Sequence, residues 1–370
     1  MRTRIPKYHT YRTPDYVTLQ WATDTVACDS SGGMVVYFGE ELPLRKRATA
    51  EGFLFDIGDQ QRKQCNYIAE LRTLAPSTKY FYHIGEQNLI VDYIPKFWFV
   101  SAPDSTTLSH TPPHKFLIFG DLGSREPTNT STVMPWTSRE VQQGGVAMIL
   151  QVGDFAYDMD SEGGELGRRF MNQIQNMSAF VPFMVLHGNH ESSYNFAHYT
   201  EFFRNQPATQ DSIVVTDNGP APNNWFFSWN VGLVHFVVLS SELYFQYPDT
   251  NPLLREQWLW VQADLAAAAA NRTAAPWIVV SGHRSIYCSS GSDCDDDATK
   301  LRAGIKQVRS THHRSCSSFI VSLYSKADGT YLYGLEELLY KYKVDLWING
   351  ASPCLFFYVP HSNQPSPITK

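Results

Sequence analysis

Four apolar runs beyond residue 114 end abruptly in side chains that can hold a cation or move a proton. Asp121 follows "KFLIFG", Asp154 follows "AMILQVG", Asn189 and His190 follow "PFMVLHG", and His283 follows "WIVVSG". One polar residue at a strand end is ordinarily a turn or a cap. Four in one chain, each directly past an apolar strand, are hard to produce by turns. Ligands in open α/β sheets collect beyond the carboxyl ends of the strands, so the four predict one shared cleft. Their donors are carboxylate oxygen, amide oxygen and imidazole nitrogen, a set for hard or borderline metals rather than a thiolate zinc site. Tyr157 stands three residues after Asp154. Taken alone it reads as a core aromatic. Beside Asp154 it reads as a donor to ferric iron, because a phenol with an ordinary pKa of about 10 loses its proton readily only to a highly charged ion. A carboxylate has two oxygens, so Asp154 can bridge two ions while Tyr157 reaches back to one of them.

The elements that must position these residues are legible as a change of texture along the chain. Residues 14–100 carry short β-branched or aromatic runs, "YVTLQWAT", "GGMVVYFG", "CNYIAELRTL", "TKYFYHIG" and "KFWFVSA", separated by Gly, Pro, Asp and Ser turns. That spacing predicts an all-β sandwich. Residues 101–114, "SAPDSTTLSHTPPH", read as a linker. Beyond it apolar runs alternate with helical segments, the pattern of an α/β layer. Leu, Trp and Val at helical spacing and a run of five alanines predict a helix over 252–270. The chain therefore divides into residues 1–100, a linker 101–114 and a second domain 115–370.

Bulk composition narrows the function classes. The 370 residues are 43% hydrophobic and 18% charged, ample for a large core, and the net charge of −6 argues against a nucleic-acid or anionic-membrane surface. No apolar run is long enough to span a bilayer. The opening "MRTRIPKYHTYRTP" has basic residues with no apolar stretch behind them, so it does not read as a signal peptide. Six cysteines (Cys28, Cys65, Cys288, Cys294, Cys316, Cys354) match no CxxC spacing. Cys28 with Cys65, and Cys288 with Cys294, read as disulfides or as free core thiols. Asn129, Asn176 and Asn271 head glycosylation acceptor triplets, a hint of secretion.

The blocks "FGDLG" (Asp121), "GDFAY" (Asp154, Tyr157), "GNHE" (Asn189, His190) and "VSGHRSIYCSS" (His283) resemble four of the five motif blocks of the purple acid phosphatases, within the metallophosphoesterase superfamily. The resemblance implies a fibronectin-III-like sandwich followed by a calcineurin-like α/β metallophosphatase domain, a two-sheet α/β/β/α sandwich. It implies that Asp121 and Tyr157 bind Fe3+, that Asp154 bridges, and that Asn189 and His283 bind a divalent ion (Zn2+, Fe2+ or Mn2+). His190 then faces the phosphate, with Asn189 on the substrate side as well. The implied activity is acid hydrolysis of small phosphate monoesters, in a secreted or lysosomal protein of unspecified oligomeric state. A phosphodiesterase or nucleotide pyrophosphatase on the same core is the second enzyme reading.

The family's fifth block, Gly-His-x-His, supplies one histidine to each ion. Here "VDLWING" is followed by Ala351-Ser352-Pro353-Cys354, and both histidines are replaced. The segment 306–331 departs from the family as well, and His312 and His313 within it read poorly as substitutes, because neighbouring residues on a strand point to opposite faces. These departures raise the expectation of a phosphatase domain incomplete at its C-terminal end, and leave open an impaired chain that acts as a binding protein.

Overall fold

Antiparallel pairing organises the first hundred residues. Seven strands, β1 (Lys7–Thr13), β2 (Tyr16–Thr23), β3 (Met34–Gly39), β4 (Lys46–Phe55), β5 (Gln64–Arg72), β6 (Lys79–Glu86) and β7 (Phe97–Val100), are hydrogen-bonded in the order β1-β2-β5-β4-β3-β6-β7. The structure is a computed structural model that describes residues 7–13, 15–23, 28, 33–57, 63–103, 115–124, 133–207, 212–246, 252–287, 292–306 and 331–350. Trp21, Leu71, Tyr80 and Tyr82 are buried in this layer, and Trp21 stacks on Tyr67 with ring centroids 5.6 Å apart. Cys28 and Cys65 form a disulfide. Five of the seven strands are visible as apolar runs. β1 ("KYHTYRT") and β4 ("KRATAEGFLF") are not, because polar and charged residues break their alternation. Past β7, Ser101 donates its N–H to Thr78 O at 2.9 Å and Ala102 is buried.

From Lys115 onward parallel strands alternate with helices. In chain order these are β8 (Lys115–Phe119), α1 (Val133–Gln143), β9 (Val146–Val152), α2 (Glu165–Ser178), β10 (Phe183–Leu186), α3 (Ser193–Phe202), β11 (Ile213–Thr216), β12 (Gly219–Pro222), β13 (Phe227–Val231), β14 (Val234–Val238), α4 (Pro252–Ala270), β15 (Trp277–Ser281), α5 (Ser292–Ala303), β16 (Gly304–Lys306), β17 (Tyr331–Tyr333), α6 (Leu335–Lys341) and β18 (Leu346–Ile348). One sheet has the order β10-β9-β8 and a second the order β13-β14-β15-β18, with all neighbours parallel except the β13–β14 hairpin.

The two sheets face one another. Met148, Leu150 and Val152 of β9 and Met184 and Leu186 of β10 share a core with Phe236 and Val238 of β14, and Phe116 meets Phe236 edge to face at 5.2 Å. The opposite faces lie under helices. Ile149 and Val185 share a core with Phe170, Ile174 and Met177 of α2, as Val237 and Val280 do with Val261 and Leu265 of α4. Burial on both faces is why these strands read as unbroken apolar runs rather than alternating ones. In α4 the buried residues Leu254, Gln257, Val261, Leu265 and Ala268 recur every three or four positions, the stripe that seats a helix on a sheet.

The N-terminal strands dock on the α/β layers through buried polar contacts. The Gln20 amide donates to Glu201 O at 2.7 Å and accepts from Asn205 N at 3.0 Å, and the Tyr82 hydroxyl donates to Ala179 O at 2.8 Å. Buried amides are stable only when so paired. Residues 307–330 and 351–370, with His312, His313 and the Ala351-Ser352-Pro353-Cys354 replacement, lie outside the described residues.

Candidate metal centre

The parallel registers align the carboxyl ends of β8, β9 and β10 in one sheet and of β14, β15 and β18 in the other. Phe119 pairs with Gln151, Val152 with Leu186, and Ser281 with both Val238 and Ile348. Each of these strands except β14 is followed within two or three residues by a predicted site residue, or by Gly350 in the case of β18. Asp121, Asp154 and His283 offer ligand atoms that all lie within 4.8 Å of one another. Asn189 joins them, since its Oδ1 lies 3.2 Å from His283 Nε2, and Asp154 Oδ1 lies 3.3 Å from the same nitrogen. Tyr157 closes the group by donating its hydroxyl to Asp121 Oδ1 at 3.0 Å. The four strand ends expected to share a cleft do share one.

Main-chain geometry shows what this convergence demands. Asp121, Asp154 and Tyr157 have φ of 53°, 49° and 52°. For residues with a Cβ such left-handed conformations cost on the order of 1–3 kcal/mol each and persist where the surroundings impose them, commonly at functional sites. Glycine permits the close approach. A Cβ on Gly188 would stand 2.2 Å from Asp154 Oδ1, and one on Gly350 would stand 2.3 Å from Val152 O and 3.0 Å from Asp121 Oδ2.

His283 is fully buried. Its Nδ1 faces Val152 O at 2.9 Å, and that backbone acceptor fixes the ring so that Nε2 points into the cluster. Burial lowers the basicity of this imidazole, but contact with Asp154 outweighs burial and raises its pKa to about 9. Burial raises the Asp121 carboxyl pKa, with His283 opposing and Asp154 adding to the rise. Burial acts on Asp154 in the same direction, and there the His283 contact prevails and lowers it. Tyr157 is pushed well above the usual phenol range, first by burial and then by Asp121. Two carboxylates, a phenol, an amide oxygen and one imidazole thus crowd one point. These donors fit a hard or borderline cation, which relieves the carboxylate repulsion and permits the phenol to ionise.

A family profile for calcineurin-like phosphoesterases matches residues 114–350. The chain belongs to the calcineurin-like phosphoesterase family. Acid phosphatase type 7 of Mus musculus is 32% identical over 369 residues, covering 96% of this phosphoesterase and 72% of the relative. The Homo sapiens counterpart is 32% identical over 335 residues, 90% of this chain and 65% of that one. Among solved structures, a purple acid phosphatase from yellow lupin (Lupinus luteus) seeds superposes with a TM-score of 0.66 at 18% identity, over 97% of this chain and 60% of the lupin chain. That likeness shows the fold. The chain spans about two thirds of the length of these relatives.

Two residues of this phosphoesterase escaped the sequence reading. Asp158 accepts from, or shares a proton with, His190 Nδ1 at 2.8 Å, and the Tyr157 ring meets the His190 ring at 4.7 Å. His190 Nε2 is left to face the cleft, 4.0 Å from Asp154 Oδ2. Burial depresses His190, while Asp158 and then Asp154 raise it by more. Glu191, the last residue of "GNHE", is buried, and burial followed by the charge of Asp154 raises its carboxyl pKa to about 7. Asp158 directly follows the "GDFAY" block, and only its contact with a histidine 32 residues away in sequence marks it. Glu191 gave no signal, since nothing local marks a glutamate as buried. Of the acceptor asparagines, Asn176 and Asn271 are exposed, and Asn129 lies outside the described residues.

Proposed function

We propose that this chain is an acid phosphatase of the purple acid phosphatase type, cleaving small phosphate monoesters. The observation that carries the reading is the convergence of Asp121, Asp154 and His283, from two facing sheets, within 4.8 Å. Asp121 and Tyr157 would hold a ferric ion, Asp154 would bridge, and Asn189 and His283 would hold zinc, ferrous iron or manganese. Bound there, the ions neutralise phosphate charge and acidify water so that hydrolysis proceeds at low pH. The chain's own groups supply the rest. Asp158 orients His190 through Nδ1, and the protonated Nε2 of His190 hydrogen-bonds the phosphate ester and gives its proton to the leaving alkoxide. The raised basicity of His190 keeps that proton in place at mildly acidic pH.

The wider assignment follows the same lines. Residues 1–100 form a fibronectin-III-like sandwich, a reading supported by the antiparallel β1-β2-β5 and β3-β6-β7 pairings. Residues 101–114 link it to the catalytic domain, 115–370. A secreted or lysosomal location is supported by the Cys28–Cys65 disulfide, which persists in oxidising compartments. Among the described residues no helix is long and apolar enough to cross a membrane. Metal analysis with a visible absorption spectrum, followed by assay on p-nitrophenyl phosphate and its bis ester, tests the function. Iron with a second metal and a preference for the monoester supports it. A chain that binds no metal, or cleaves only the diester, overturns it.

A further inference from the structure

Glu191 has no part in the chemistry described above, yet its carboxylate is wholly engaged. Its Oε2 accepts from Gly188 N at 2.8 Å and from Asp154 N at 2.9 Å, and its Oε1 accepts from Phe155 N at 2.9 Å. The side chain is only 2% exposed. Burying a carboxylate without a counter-charge is costly unless hydrogen bonds replace its lost water. Here three backbone amides do so, and all three belong to the turns that follow β9 and β10. One of them is the amide of Asp154 itself. Another precedes Asn189. These are the turns that meet so closely that a Cβ on Gly188 would stand 2.2 Å from Asp154 Oδ1.

From this geometry we infer that Glu191 is a positioning residue that clamps the ends of β9 and β10, holding Asp154 and Asn189 at one separation on His283 Nε2. The inference rests on the metal-centre reading given above. A single side chain hydrogen-bonded to both turns lets neither ligand move without breaking amide bonds to the other. Metal affinity depends on such control, because ligands must be held to within about 0.5 Å of the binding geometry. A glutamate with no such role would be a buried polar residue whose loss weakens the fold and nothing more.

Zinc affinity of the purified chain, measured by competition with a fluorescent chelator, separates the two roles. Glu191→Gln keeps the shape but sets an NH2 group against amides that need an acceptor. It is expected to bind zinc at least tenfold more weakly while remaining folded by circular dichroism. Leu265→Ala, a core truncation in α4 chosen to lower Tm comparably, should keep the unmodified affinity. If Glu191→Gln binds zinc as tightly as the unmodified chain, the clamp is overturned. If that variant does not fold, Glu191→Asp takes its place: the charge is kept, the reach is one methylene shorter, and the same tenfold loss is required. If the unmodified chain binds no zinc or other divalent ion, the metal-centre reading fails and hydrogen exchange decides the clamp. The amides of Asp154, Phe155 and Gly188 must then exchange at least tenfold faster in the variant, and equal protection overturns the proposal.

Discussion

The Tyr157 hydroxyl donates a hydrogen bond to Asp121 Oδ1 at 3.0 Å, joining the turns that follow two neighbouring parallel strands. With both the phenol proton and the carboxylate present, this contact is an ordinary hydrogen bond. If ferric iron takes the place of that proton, the same two oxygens become its ligands, and a phenolate-to-iron charge-transfer band appears. Tyr157→Phe should abolish that band. It should cost roughly tenfold in turnover, while Asp154→Ala should cost more than about a hundredfold, because Asp154 contacts His283 and the His190 amide and, on the proposed assignment, would serve both ions. A band that survives Tyr157→Phe excludes the phenol as its source.

His190 and Asp158 should behave as a pair. Removing a general acid costs about 10²–10⁴-fold, so His190→Ala should lower monoester turnover within that range and leave metal content unchanged. Asp158→Asn should cost less, roughly 10–100-fold, since it disturbs only the orientation of the ring. It should also move the pH profile. His190 must be protonated to act, so activity falls as pH rises through its pKa, and Asp158 is among the groups that raise that pKa. Without the Asp158 charge the alkaline limb of the kcat profile should shift to lower pH. Metal loss from His190→Ala would make His190 a ligand and reverse its role.

How much of this was legible in the sequence depends on range. Asp121, Asp154, Asn189 and His283 could be read because each follows an apolar strand; β9, β10 and most of β15 are buried on both faces, and such burial writes a continuous run into the sequence. The helix at 252–270 was readable for the same reason, as one stripe of buried residues. β1 and β4 were not, since polar and charged residues interrupt the period of two in both. β13 was missed because "FSWNV" shares its length between core and solvent. The second ring of the site was illegible on other grounds. Asp158 acts through a histidine in the turn that follows another strand, and Glu191 acts on main-chain amides, which carry no residue type at all.

Acid stability should be set partly by His198. This imidazole is 2% exposed, packed against Phe55 at 5.0 Å and Phe202 at 5.6 Å, its Nε2 has no hydrogen-bond partner among the described residues, and burial lowers its pKa to about 4. An unfolded histidine titrates near a pKa of about 6.5, so between those values the unfolded chain binds the proton and the folded chain does not. The contribution of His198 is therefore intact above about pH 6.5 and is lost progressively as pH falls toward 4, on the order of a few kcal/mol in all. His198→Phe, which keeps an aromatic ring between Phe55 and Phe202, should flatten the fall in Tm between those pH values. An unchanged slope would assign the acid sensitivity to other groups.

The most exacting prediction concerns the position after β18. Gly350 lies against Asp121 and His283, with a Cβ there standing 3.0 Å from Asp121 Oδ2 and 3.0 Å from His283 Nδ1. The residues that follow are Ala351, Ser352 and Pro353, where the purple acid phosphatase pattern places two histidines. On the proposed assignment each ion loses one neutral imidazole. The ferric ion keeps its anionic ligands Asp121, Asp154 and Tyr157, and the divalent ion keeps Asp154, Asn189 and His283. Three protein ligands suffice for a catalytic site, but the divalent side has lost one of its two imidazoles and should empty first. The purified chain should therefore carry less than one divalent ion per molecule and turn over slowly, with partial recovery in excess zinc or manganese. Ala351→His with Pro353→His should raise divalent occupancy, read by metal analysis. Full occupancy of both ions in the unmodified chain would mean that other residues already fill the vacated positions.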